Sequence, residues 1–120
     1  MGHVFLIHWK QDEVASFSEP LRDAGWRVDT EHDDVEAAVR GVNDLTPDAV
    51  VLSLRRDAAR GRRFAEILAR DGIAKELPIL AVDGEEDDVA AVRDTLPNVT
   101  AVAWTELPAT LRDLLDRPTG

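Results

Sequence analysis

Hydrophobic positions along the chain fall into short unbroken runs separated by stretches of helical spacing. The central run, Ala49-Val50-Val51-Leu52, is rich in β-branched residues and is bounded by Thr46-Pro47-Asp48 and Arg55-Arg56-Asp57. A short run that does not alternate reads as a strand buried on both faces. Such strands occupy the middle of parallel sheets covered by helices. Val4-Phe5-Leu6-Ile7 is a second run of this kind, and Leu77 to Val82 and Val99 to Ala103 supply two more. Pro78 stands near the start of its run, where proline is tolerated. Trp26 to Thr30 alternates instead, as a half-exposed edge strand does.

Helical spacing fills the intervals. Asp12 is placed to cap a helix whose inner face carries Val14, Phe17, Leu21 and Ala24 and which stops at Gly25. Pro20 removes a hydrogen bond and crowds the preceding turn, so this helix is expected to kink or break near Ser18. Asp33 or Asp34 caps a second helix with Val35, Ala38, Val39 and Val42 inward. A third is expected over Gly61 to Arg70, with Phe64, Ile67 and Leu68 inward. Asp87 and Asp88 open a fourth, carrying Val89, Val92 and Leu96. Pro108 to Leu115 forms the last, burying Leu111, Leu114 and Leu115. The pattern is α/β, (βα)5, in one domain over residues 1–116, with 117–120 as a frayed C-terminal tail. Right-handed crossovers place helices on both faces of a parallel sheet. In open α/β sheets the functional crevice lies outside the carboxyl ends of the strands. That rule singles out His8, Trp9, Ser53, Arg55, Asp83, Gly84, Trp104 and Thr105.

Composition narrows the function. A chain of 120 residues, 44% hydrophobic, suffices for one domain with a sizeable core. The absence of cysteine excludes disulfides and cysteine-based zinc sites and is compatible with the cytoplasm, the expected location. No apolar run approaches a membrane span, and Val4 to Ile7 is too short for a signal-peptide core. The net charge of −10 disfavours direct binding to nucleic acid or to an anionic membrane surface.

Three stretches carry a family resemblance. Gly25-Trp26-Arg27-Val28 matches a Gly-aromatic-x-Val entry to a second strand. Thr46-Pro47-Asp48-Ala49-Val50-Val51-Leu52 matches the Pro-Asp-Leu-Val-Leu-Leu approach to a phosphorylation site, and Leu77-Pro78-Ile79-Leu80 matches a fourth strand. Over nearly its whole length the chain resembles the receiver domains of bacterial two-component response regulators. The resemblance implies a flavodoxin-like, CheY-like three-layer fold with strand order 2-1-3-4-5. It also implies which positions matter, and at each one the chain departs from the pattern. Where receivers carry an acidic pair for Mg²⁺, this chain has His8 and Trp9. Where they carry the phosphoacceptor aspartate, it has Ser53. Asp83 replaces the switch Thr or Ser, and Trp104-Thr105 replaces Lys-Pro. Mg²⁺ needs hard oxygen ligands that imidazole and indole do not supply. A serine hydroxyl is a poor nucleophile without an adjacent base. Trp104 is expected to fill the pocket by packing at the sheet edge rather than to stack a ligand. The chain is therefore expected to be a pseudo-receiver, with no enzymatic activity, metal or cofactor, acting as a protein-interaction module in bacterial signalling.

Other chemistries stay open at this point. The same residues serve a small-ligand sensor using the crevice, or a receiver phosphorylated at another acid such as Asp57 or Asp83. His8, Ser53 and Asp83 are the inventory of a Ser-His-Asp triad, although Leu52-Ser53-Leu54 lacks a glycine-flanked elbow. A metal site would draw on His8, Asp12 and Asp83. Arg55, Arg56, Arg60, Arg62 and Arg63 form a positive segment on an acidic chain. They are candidates for docking a carboxylate-rich or phosphorylated protein partner, or else a solvated surface paired with acids such as Asp12, Glu85 and Glu86. By resemblance, receivers dimerise through the face of the fourth helix, fifth strand and fifth helix. Here Asp87, Asp88, Asp94, Asp113 and Asp116 outnumber Arg93 and Arg112 on that face. Like-charge repulsion should therefore leave the chain mostly monomeric, with a weak dimer at most.

Overall fold

A computed structural model describes residues 2–72, 77–96 and 98–115. Five parallel strands form one sheet of order β2-β1-β3-β4-β5. They are β1 (His3–Ile7), β2 (Arg27–Glu31), β3 (Ala49–Ser53), β4 (Ile79–Val82) and β5 (Val99–Val102). Five helices alternate with them: α1 (Gln11–Asp23), α2 (Val35–Leu45), α3 (Ala58–Asp71), α4 (Glu86–Thr95) and α5 (Leu107–Leu115). A single 3-10 turn, Trp104–Glu106, precedes α5. The fold is the expected flavodoxin-like, CheY-like one, and the expected strand order is the observed one. Among the described residues no helix is long and apolar enough to cross a membrane. The tail 117–120 and Asp116 lie outside the described residues, as does the side chain of Leu115.

The three central strands are unbroken apolar runs because both of their faces are covered. One core layer joins Phe5, Ile7, Val50, Leu52 and Ile79 to Val39 of α2, Phe64 and Leu68 of α3, and Val92 of α4. The other joins Val4, Leu6, Val51 and Leu80 to Phe17 and Leu21 of α1 and Leu107 and Leu111 of α5. Odd and even positions of each strand thus feed opposite layers, as the pleat requires. Burial of each large aliphatic or aromatic side chain contributes about 1.5–3 kcal/mol. At Gly41 a Cβ would stand 2.4 Å from the Phe5 ring, so glycine there lets α2 lie close against β1.

Several boundaries differ from expectation. Helix α1 does not break: it runs unbroken past Pro20, which is exposed, as is Ser16, whose carbonyl the missing N–H leaves free. That carbonyl is therefore open to water, and the main cost of an interior proline is reduced. Asp12 is not the cap of α1; Lys10 is, without a side-chain bond, and Asp12 sits in the first turn. Helix α3 begins at Ala58 rather than Gly61, because the Asp57 carboxylate accepts the Arg60 N–H and nucleates the helix three residues earlier. Helix α4 begins at Glu86, a residue before the expected Asp87, with Glu85 as a cap that makes no side-chain bond. Strand β2 begins one residue after Trp26, β4 two residues after Leu77, and β5 ends one before Ala103. Of the two acids expected to cap α2, Asp34 does so, accepting from Glu36 N–H.

Candidate functional site

Register brings the first two site residues together. Ile7 pairs with Leu52 and Ser53 with Val82, so His8 leaves β1 beside Ser53 at the end of β3. The pleat then sorts the neighbours. Val4 and Leu6 of β1 and Ala49 and Val51 of β3 face the α1–α5 layer, and His8 and Ser53 continue those rows. The two residues meet: His8 Nδ1 lies 2.8 Å from Ser53 Oγ, with His8 fully buried and Ser53 nearly so.

The other ring nitrogen finds a partner that sequence reasoning missed. His8 Nε2 is 2.8 Å from Oε1 of Glu13 on α1. The carboxylate only accepts, so Nε2 carries the hydrogen and, in the neutral ring, Nδ1 accepts from the Ser53 hydroxyl. Glu13 is in turn clamped by Arg56 from the β3–α3 loop. Arg56 Nε donates to Oε1 at 2.7 Å, and its Nη2 donates to Oε2. The Arg56 bond, followed by that from His8, holds the Glu13 carboxyl at about 2, far below the ordinary 4.5, while partial desolvation opposes the shift. Glu13 in return raises Arg56 above the ordinary arginine value. The signal for Glu13 is its spacing: 13, 17 and 21 form one helical stripe, two of whose members, Phe17 and Leu21, are core. A carboxylate on that stripe had to find a buried partner.

Trp9 does not line the crevice. It continues the row of Phe5 and Ile7 and is buried in the opposite layer, with Arg60 5.6 Å above its ring. Its Nε1 is buried with no partner among the described residues. Nor does Asp83 complete a triad. The pleat puts Val82, not Asp83, on the face of His8 and Ser53. Asp83 leaves β4 in left-handed backbone, φ 59°, accepts from Trp104 N–H at 3.3 Å, and faces Arg55 at 4.0 Å. The acid that meets His8 is Glu13. Ser53 Oγ also accepts from Arg55 N–H at 3.4 Å, and Ser53 lines neither of the two cavities beside Asp83. Among the described residues no group of three His, Asp or Glu side chains is placed to hold a metal ion, which removes the His8, Asp12, Asp83 arrangement. Over this network Phe17 packs edge-on to His8 (centroids 4.5 Å, 62°) and Trp104 edge-on to Phe17 (4.3 Å, 83°). The aromatic ladder seals the top of the α1–α5 layer.

The arginines are largely engaged within the chain. Besides Arg56 with Glu13, Arg60 pairs with Asp57 at 3.2 Å and donates to Asp33 O at 3.0 Å. Arg62 pairs with Asp88 of α4. Their acids are thus Glu13, Asp57 and Asp88, not Asp12, Glu85 or Glu86. Arg63 is exposed and makes no ion pair among the described residues, and half-exposed Arg55 lies 4.0 Å from Asp83 and 6.0 Å above the Phe17 ring. A cavity of about 530 Å³ opens beside it, lined by Arg55, Asp83, Gly84, Ala103, Trp104 and Thr105.

No family model matches the chain, and no curated protein matches it. Solved structures do share its fold. The Vibrio cholerae chemotaxis protein CheY4 superposes with a TM-score of 0.79 at 18% identity, over 96% of this chain and 99% of that one. A response-regulator signal receiver domain from Bermanella marisrubri gives 0.73 at 18% identity, over 94% and 97%. A Chloroflexus aurantiacus protein provisionally assigned as a response regulator gives 0.75 at 25% identity, over 98% and 100%. The likeness to these three structures shows that the chain has the CheY-like fold.

Proposed function

We propose that this chain is a signalling module on the receiver scaffold that takes no phosphoryl group and works by binding a protein partner in one fixed conformation. The observation that carries the reading is the chain Ser53–His8–Glu13–Arg56. Phosphoryl transfer is positioning plus neutralisation of charge on the transferred group. Here the ends of β1 and β3 hold side chains that satisfy one another, with Ser53 donating to a ring that is already committed to Glu13. A carboxylate exists nearby, in Asp83, yet one carboxylate makes a weak Mg²⁺ site because that ion surrenders water reluctantly. The test is mass spectrometry of the chain after incubation with acetyl phosphate and Mg²⁺. No adduct is expected on the wild type or on Ser53→Asp, whose new carboxylate would face His8 rather than a metal. An aspartyl phosphate on the wild type, at Asp57, Asp83 or elsewhere, overturns the reading in favour of an unorthodox receiver.

One observation supports a second reading, a small-ligand sensor: the open cavity beside Arg55 and Trp104. A ligand bound only by the folded chain raises its melting temperature. A thermal-shift screen of anions and nucleotides separates the two, and a saturable rise abolished by Arg55→Ala favours the sensor.

A further inference from the structure

The sheet has two edges, and they are built differently. Edge β2 reads Arg27-Val28-Asp29-Thr30-Glu31. His3 Nε2 stands 2.5 Å from the Asp29 carboxylate, the Arg22 guanidinium donates to Val28 O at 2.9 Å, and Glu31 accepts from the N–H groups of Asp33 and Asp34. Charges and side-chain covers of this kind are how proteins blunt an edge against further pairing. Edge β5 reads Val99-Thr100-Ala101-Val102, followed by Ala103, with no charge at all. Thr100, Ala101 and Ala103 are exposed. Among the described residues β5 pairs only with β4; Val99 N–H donates to Leu96 O at 3.1 Å and Ala103 O accepts from Glu106 N–H at 3.0 Å, and beside the remaining outer backbone groups no described strand lies. A cavity of about 390 Å³ lies against it, lined by Ala81, Val89, Ala101 and Val102 and by the acids Asp83 and Glu106. Glu85 and Glu86, at the start of α4, are also exposed.

We propose that β5 receives an extended basic segment of a protein partner as a sixth strand. A small apolar side chain of that segment enters the cavity between β5 and α4, and its cationic neighbours face Asp83 and Glu106. The inference rests on the interaction-module reading and gives its partner a chemistry. Backbone pairing supplies affinity in strand addition, and pockets for alternate side chains supply choice. Charge selects the occupant. Asp83 and Glu106 line the cavity on a chain of net charge −10, which attracts a cationic segment and opposes a second copy of the same acidic chain.

The probe is the acetylated peptide Lys-Val-Lys-Ala-Lys-Val-Lys, titrated into the full chain at low ionic strength. Its control is the same peptide N-methylated at alternate amides, which keeps the charges and loses the ladder. The unmodified peptide is expected to slow amide exchange at residues 99–103 and to bind at least about tenfold more tightly than the control, a 1.4 kcal/mol difference. Ala101→Lys is expected to weaken it about as much without altering the melting curve of the free chain. Equal affinity for the two peptides, indifference to Ala101→Lys, or no binding overturns the proposal. So does a free-chain dimer that protects residues 99–103, which would assign the edge to a second copy. None of these outcomes touches the phosphoryl-adduct measurement, so the two readings fail separately.

Discussion

The two halves of the rim at the carboxyl ends of the strands differ in one respect: the β1–β3 half is full and the β4–β5 half is open. On the first, His8 is wholly buried, bonded at both nitrogens, and covered by Phe17. On the second, Asp83, Ala101 and Ala103 are exposed and two cavities open beside them. The difference lies in the residue types that follow each strand. A histidine and a serine emerging on the same pleat face can satisfy each other, and a carboxylate one helical stripe away completes the set. An aspartate emerging on the opposite pleat face, in left-handed backbone, has only a main-chain N–H and a distant arginine. A scaffold can thus close half of its crevice with internal hydrogen bonds and leave the other half for a visitor.

The largest effect that would break this comparison belongs to His8. Removing the imbidazole in His8→Ala leaves a cavity and strips Ser53 and Glu13 of their shared partner. A loss of about 2–4 kcal/mol is expected in urea unfolding, and a loss below about 1 kcal/mol would mean that the full half is not what holds the rim.

Acid sharpens the comparison next. The folded Glu13 carboxyl is held at about 2 against an ordinary 4.5, so its contribution is complete above 4.5 and vanishes as pH falls through about 2. Stability of the wild type should fall more steeply across that window than that of Glu13→Gln, and the two curves should converge below it. Parallel curves would show that the Arg56 clamp does not distinguish the charged from the neutral carboxyl. The smallest effect lies on the open half. Ala101→Ser, on an exposed edge with no side-chain partner, should change unfolding free energy by no more than about 0.5 kcal/mol. A larger loss would mean that this edge is packed rather than free.

Much of the fold could be read before the structure because double-sided burial leaves an unmistakable pattern. The runs Val4–Ile7 and Ala49–Leu52 had no polar position to offer, so a central parallel strand was the reading that fitted. The inner stripe of α2 was equally clear, since Val35, Ala38, Val39 and Val42 are all buried. The start of α3 was hidden, because Ala58-Ala59-Arg60 has no apolar periodicity and Asp57 looked like one more charge in a basic segment rather than a cap. The site was legible in its members and not in its wiring. His8 and Ser53 were placed together by strand adjacency, but the acid was sought at the end of another strand. Glu13 is hidden because an acid in the first turn of a helix is already accounted for by the helix dipole, and only its spacing from Phe17 puts it over the core. Trp9 lies away from the crevice, where the carboxyl-end rule would place it, because the alternation of β1 continues for two residues beyond Ile7.

That continued pleat gives the molecule a set of optical reporters. The sequence has three tryptophans and no tyrosine, so indole dominates its near-ultraviolet emission. Trp9 is buried in the α2–α3–α4 layer, Trp26 in the α1–α5 layer, and Trp104 stands partly exposed at the open cavity. Each layer therefore carries one enclosed fluorophore and the crevice a third. Chains retaining a single tryptophan would show separately whether the two layers melt at one temperature, and whether anything enters the crevice while both remain intact.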